Sequence, residues 1–148
     1  MIALCALLLA LSLAAHADTA HDAQQAAIAD VATTGIGLAL GAAEANPLGI
    51  ATLPLKLIAL DYADKLPTGE RETLQSAIAS VWTGASVNNV CVILALVTGG
   101  AFGAGCIVAG LAVAVGRWTA GEQEREFWQI CADYMRMNPA LVCTYTPT

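Results

Sequence analysis

Charge is scarce in this 148-residue chain: Asp, Glu, Lys and Arg make up only 12% of it, and only six residues are Lys or Arg. With 57% hydrophobic residues and a mean hydropathy of +0.66, too little polar surface remains to cover a water-soluble domain of this size. Aromatic residues are also few, at 5%, while glycine and alanine abound, a balance that suits close helix contact in a bilayer better than a core of large side chains. The formal net charge of −6 provides no basic surface for nucleic acid or anionic lipid. Histidine occurs twice, as His16 and His21, both near the N-terminus. No His–Ser–Asp, His–Cys or zinc constellation can therefore be assembled from the apolar body of the chain, and no P-loop or dinucleotide fingerprint is present. The expectation is a non-enzymatic protein without metal or cofactor.

What is present reads as helices for a membrane. Residues 1–17 look like a secretory signal sequence: an apolar run from Ile2 to Leu13 precedes Ala15-His16-Ala17, an A-x-A-like site with cleavage expected before Asp18. The run lacks Lys or Arg ahead of it, so an uncleaved anchor is the other reading. Cys5 lies within it and does not sit in a lipobox. Four apolar stretches follow, at about 26–43, 47–63, 73–97 and 101–116, each near the ~20 residues that cross ~30 Å of hydrocarbon. Glu44-Ala45-Asn46-Pro47, the breaker-rich loop 64–71 and Gly99-Gly100 separate them. The fold expected is all-α: a bundle of four transmembrane helices over residues 18–117 and a short helical tail outside the membrane over 118–148.

The first stretch carries the chemistry. Asp30, Thr34, Gly37, Gly41 and Glu44 recur at spacings of four, three, four and three, which places them on one face of a helix. The two acids are fourteen residues apart, about 21 Å along a helix, so each falls near a membrane boundary. They suit either a proton or cation path or a pair of boundary acids orienting the helix. Gly37-x-x-x-Gly41 is a close-packing motif, and Gly99-x-x-x-Gly103 is a second. Lys56, central in LPLKLIALDY, needs a partner, with Asp30 or Glu44 as the candidates, or must snorkel to water. In the third stretch Ser76, Ser80, Gly84, Asn88 and Cys91 share a face, with Thr83 and Asn89 beside it and Trp82 adjacent. That polar face is expected to meet the first helix through interhelical hydrogen bonds. Asp30, Thr34, Glu44, Asn46, Lys56 and Asn88 thus form a candidate polar seam.

The tail changes character. Trp118, Phe127 and Ile130 recur against Glu122, Glu124, Arg125 and Glu126 as in an amphipathic helix, with Trp118 beside Arg117 as a boundary anchor. Cys131 and Cys143 flank Asn138-Pro139, a turn that would bring them into a disulfide in an oxidising compartment. Cys91 and Cys106 are expected as small buried thiols. An exported leader followed by four crossings places the tail outside, in agreement with that cysteine pair. The positive-inside rule points the opposite way, since Lys65, Arg71, Arg117, Arg125 and Arg136 all lie on the tail's side. The leader and cysteines favour a multi-pass protein of a bacterial inner membrane with a periplasmic tail.

Asp30, Thr33 and Thr34 with Gly41, Glu44, Asn46 and Pro47 resemble the D…T…G…E-x-N-P signature of a domain-of-unknown-function family of small bacterial and archaeal multi-span membrane proteins, over about residues 28–98. The resemblance implies a compact helical bundle and no established activity; the leader, the glycine-rich fourth stretch and the cysteine-bearing tail lie outside it. Two function classes follow from the residues. One is a structural or accessory membrane component that binds a protein partner or further copies of itself. The other is a small channel, pore former or ion-coupled carrier that uses the seam.

Overall fold

A computed structural model describes residues 19–41, 48–100 and 103–146. The leader, Glu44, Asn46 and Pro47 lie outside the described residues. Within them the chain is all-helical: α1 (Thr19–Ala39), α2 (Leu48–Asp64), α3 (Glu70–Thr98), α4 (Gly103–Ala120) and α5 (Glu122–Met137).

The helix ends follow local chemistry. At the end of α1 the chain turns at Leu40-Gly41, with Gly41 at φ +81° donating to the Leu38 carbonyl at 3.0 Å. That left-handed conformation suits glycine and closes the helix. The first helix therefore stops short of the expected 26–43 span, and Gly41 ends it instead of packing on its face. No atom of the described residues lies within 4 Å of where a Gly41 side chain would begin. At the start of α3 the Glu72 carboxylate accepts the Gly69 amide at 2.7 Å, the acidic half of a capping box. At its far end Gly99, at φ +69°, caps the helix, and the Gly100 amide returns to the Ala95 carbonyl at 2.9 Å. Gly99 of the Gly99-x-x-x-Gly103 motif is accordingly a helix cap, and no atom of the described residues lies within 4 Å of where its side chain would begin.

α3 is the axis of the bundle. It packs broadly against α1 and α4 and more narrowly against α2 and α5. Its central position explains its mixed composition, since a helix surrounded by neighbours needs small residues more than an apolar stripe. Its hydroxyls are satisfied locally: Ser80, Thr83 and Ser86 donate to the carbonyls of Ser76, Ala79 and Trp82 at 2.7, 2.7 and 2.8 Å. The expected interhelical bonds to α1 are made by Asn89 of this helix. A hydroxyl that reaches the carbonyl four residues back can be buried without a neighbour's help.

α3 and α4 are antiparallel and cross at Gly84 and Gly110. A β-carbon on Gly84 would lie 2.5 Å from the Gly110 carbonyl oxygen, and one on Gly110 would lie 2.6 Å from that of Gly84. The backbones therefore touch, as only glycine permits. Seven residues beyond Gly84, Cys91 forms a disulfide with Cys106. These cysteines are thus bridged, contrary to the expectation of buried free thiols. Pairing depends on the helical register, which stretches of apolar sequence do not reveal.

By length and composition, α3 is the one described helix suited by itself to cross a bilayer; α4 and α5 qualify together across a 43° bend. α2 has 17 residues and α1 opens on polar His21, Asp22, Gln24 and Gln25, so neither matches the length and apolarity that four full spans assume. α5 begins later than the expected helix at Trp118, because Gly121 separates it from α4. The tail then folds back: Cys131 and Cys143 form the expected disulfide, and Phe127 and Tyr145 lie with ring centroids 5.3 Å apart.

The glycine crossing yields a direct prediction. Gly84→Ala and Gly110→Ala should each destabilise the purified protein by about 1–3 kcal/mol through overpacking. Gly105→Ala, where nothing lies within 4 Å, should remain within about 0.5 kcal/mol of the parent in the same chemical denaturation series.

Candidate functional site: a charge pair between three helices

Asp30 lies midway along α1, on a face of very small residues. Ala23, Ala26, Ala27, Thr33 and Gly37 are buried with it, a succession of three- and four-residue steps that keeps one side of the helix inward. Because α1 starts at Thr19, Asp30 is about 16 Å from the helix start, in the interior of the helix. The carboxylate is paired with Lys56 of α2, and each residue is only 6–7% exposed. Lys56 is therefore buried against Asp30, one of its two candidate partners, instead of snorkelling to water.

The third helix completes the arrangement. The Asn89 amide nitrogen donates to Asp30 Oδ1 at 2.9 Å and to Thr34 Oγ1 at 3.0 Å, with Thr33 Oγ1 at 3.3 Å. An amide nitrogen carries two hydrogens, so the two shorter contacts use both. Thr33 is satisfied independently, donating to the Ala29 carbonyl at 2.9 Å. The two carboxylate oxygens thus divide their partners, Oδ1 taking Asn89 and Oδ2 taking Lys56. Above the ammonium lies the Trp82 ring, 5.9 Å from Lys56 Nζ to the centroid, within cation–π range. Every charged atom of the pair has a neighbour suited to its sign.

Of the expected seam, the structure brings Asp30, Thr34 and Lys56 together, with Glu44 and Asn46 outside the described residues. Asn88 is elsewhere. Its Cβ lies 3.0 Å from the position a Gly110 side chain would begin, at the α3–α4 crossing, and its buried Oδ1 has no hydrogen-bond partner among the described residues. Adjacent helical residues point about 100° apart, so Asn89 faces α1 while Asn88 faces α4. Gly37 is buried on the inward face of α1, whereas Gly103 begins α4.

A second polar cluster joins the helix ends near the tail. Arg117 of α4 pairs with Asp22 of α1 at 2.7 Å, with both side chains largely covered. Trp118 covers Arg125, whose guanidinium carbon is 3.5 Å from the ring centroid and whose Nη1 donates to Ser76 at 3.0 Å. Gly121 leaves room for that guanidinium, which would sit 3.0 Å from a β-carbon there. Burial lowers the Arg125 pKa from its ordinary value, while nearby Glu122, Glu124 and Glu126 raise it. At the same end Gln75 donates to Asp64 at 2.8 Å and links α2 to α3.

Among the described residues, no group of three His, Cys, Asp or Glu side chains is placed to hold a metal ion. The central pair is a closed hydrogen-bonded lock, with both carboxylate oxygens engaged. Comparison with known protein families, curated proteins and solved structures found no match.

The lock can be tested by removing one or both charges. Asp30→Leu and Lys56→Met should each destabilise by about 3–5 kcal/mol, since each leaves a buried charge without its partner. The double variant should be more stable than either single variant in equilibrium unfolding. Asn89→Ala should cost about 1–3 kcal/mol by leaving Asp30 Oδ1 unsatisfied, whereas Asn88→Ala, which removes an acceptor with no donor among the described residues, should be neutral or stabilising.

Proposed function

We propose that the chain is an integral membrane protein whose apolar helices form a multi-pass bundle, and that its role is structural or partner-binding. The observation that carries this reading is the reversal of polarity on α2. Lys56 is 7% exposed, while its neighbours Leu55, Leu57 and Ile58 are 59%, 66% and 61% exposed. A water-soluble helix would turn the leucines in and the lysine out, because burying an aliphatic side chain gains roughly 1.5–3 kcal/mol and burying a charge costs more unless it is paired. In hydrocarbon the ranking is inverted, and charged groups turn toward partners within the bundle.

The same arrangement recurs on the other helices. Ile28 and Ile36 of α1, Val97 of α3 and Val108, Leu111 and Val115 of α4 are outward, while Asp30, Thr33, Gln75 and Thr83 are inward. Such a surface exceeds the isolated apolar patches that soluble monomers expose. A lipid bilayer is its natural solvent. α1 and α2 are then accommodated by local thinning of the bilayer.

The saturated lock favours a scaffold over a conduit. A transport site needs a group that can exchange its partner for the transported species, whereas Asp30 is held by Lys56 and Asn89 together. The tail supports partner binding: its disulfide fixes a short segment, and Tyr134, Met137 and Val142 remain exposed beside it. We place this tail on the oxidising side of the membrane, where its bridge can form.

Reconstitution tests both parts of the reading. The protein should remain with membranes through alkaline carbonate extraction, and liposomes containing it should pass protons and potassium no faster than protein-free liposomes. A flux abolished by Asp30→Asn would instead establish the seam as a conduction path. Release by carbonate would remove the membrane assignment.

A further inference from the structure

The two disulfides lie at opposite ends of the α3–α4 hairpin, which restricts where the chain can have been before it folded. Cys131 belongs to the end at which α5 lies beside the start of α3, where Ala132 Cβ is 3.2 Å from the position of a Gly69 side chain. Cys91 is 21 residues along α3 from Glu70, about 32 Å, and is bridged to Cys106 near the Gly99-Gly100 turn. That separation equals the hydrocarbon thickness of a bilayer, ~30 Å. A hairpin crossing a membrane with its tail on the oxidising side directs Cys91 and Cys106 toward the reducing side; the opposite orientation exposes the tail pair to reduction.

Access imposes an order as well. Thiol–disulfide exchange proceeds through a thiolate, which apolar burial disfavours, and the attacking sulfur must be reachable. Cys106 is 0% exposed in the assembled bundle. Its sulfur is therefore available to an oxidant before α4 packs, not afterwards.

From these positions we infer that both pairs are oxidised on the same side, in an oxidising aqueous compartment, and that the apolar hairpin enters its bilayer only after export and bridging. The inference rests on the membrane reading for its second half alone. In each pair one cysteine thiolate attacks the disulfide of a thiol-oxidising protein to form a mixed disulfide. The second cysteine thiolate then displaces the oxidant. One sulfur–sulfur bond forms in this chain and one breaks in the oxidant, which gains two electrons and two protons and leaves as a dithiol. The resulting protein is delivered to its membrane from the exported side as a covalently closed hairpin. It is not threaded through helix by helix.

The experiment counts free thiols on the full chain carrying Cys5→Ser, expressed in bacteria competent for export. Cells are quenched in acid, and the denatured protein is alkylated with a mass-adding maleimide, without reduction. The expected product carries no tag, while the same chain from cells lacking the periplasmic thiol oxidase carries four. Two tags in the competent cells, lost together in the Cys91→Ala/Cys106→Ala variant, would overturn the inference, because that result leaves the inner pair reduced in a hairpin threaded during synthesis. Full oxidation that persists when export is blocked would overturn it equally. Carbonate extraction of the same cells separates the two readings: untagged protein released by carbonate keeps oxidation on the exported side and eliminates insertion, while untagged protein retained in the membrane supports the complete sequence.

Discussion

The Asp30–Lys56 pair is the constraint on which the arrangement of α1, α2 and α3 depends. Neither charge is tolerable alone in an apolar bundle, so the helices must approach in a register that places one on the other. Small residues on α1 make that approach close, and Asn89 then ties α3 to the same carboxylate. The pair supplies specificity more than stability. Apolar helix faces can slide past each other at little cost, whereas a buried charge has only one satisfactory position.

Along α3 and α4 the registering device is different. There the backbones meet at Gly84 and Gly110, and the Cys91–Cys106 bridge fixes the contact covalently. A glycine crossing contributes close packing without directional bonds, so the bridge and the crossing complement each other: one sets register and the other permits approach. The Asn88 oxygen beside this crossing, without a hydrogen-bond partner among the described residues, is a local conflict at the point where the helices are held most tightly.

Much of this was legible in the sequence wherever chemistry marked the position. Asp30, Thr34 and Lys56 are conspicuous because polar groups in apolar stretches require partners, and Cys131 and Cys143 are separated by an evident turn. Residue geometry was less legible. Asn88 and Asn89 differ by one position and by about 100° of helix, so composition could not assign their neighbours without knowing the orientation of α3. Gly110 looked like any other glycine, although it is where α4 meets α3. Cys91–Cys106 required the antiparallel register, which is a property of two helices together. The end of α1 at Gly41 was obscured because a glycine four residues after Gly37 satisfies a packing motif and a helix cap equally well.

These differences divide the bundle into two mechanical parts. α3 and α4 are joined by a disulfide, and the tail is closed by another, so neither of these loops can open widely while oxidised. The central charge pair joins α1 to α2, and these two helices are held to that unit through Asn89, the Arg117–Asp22 pair and the Gln75–Asp64 bond, all of them non-covalent. Separation of α1 or α2 would therefore proceed through the polar seam, where breaking the contact leaves a buried charge without its partner. The barrier to slipping is set by that loss, not by the sum of weak apolar contacts. A bundle so organised keeps a covalent hairpin as its frame and uses one buried ion pair to select the position of the helices laid against it.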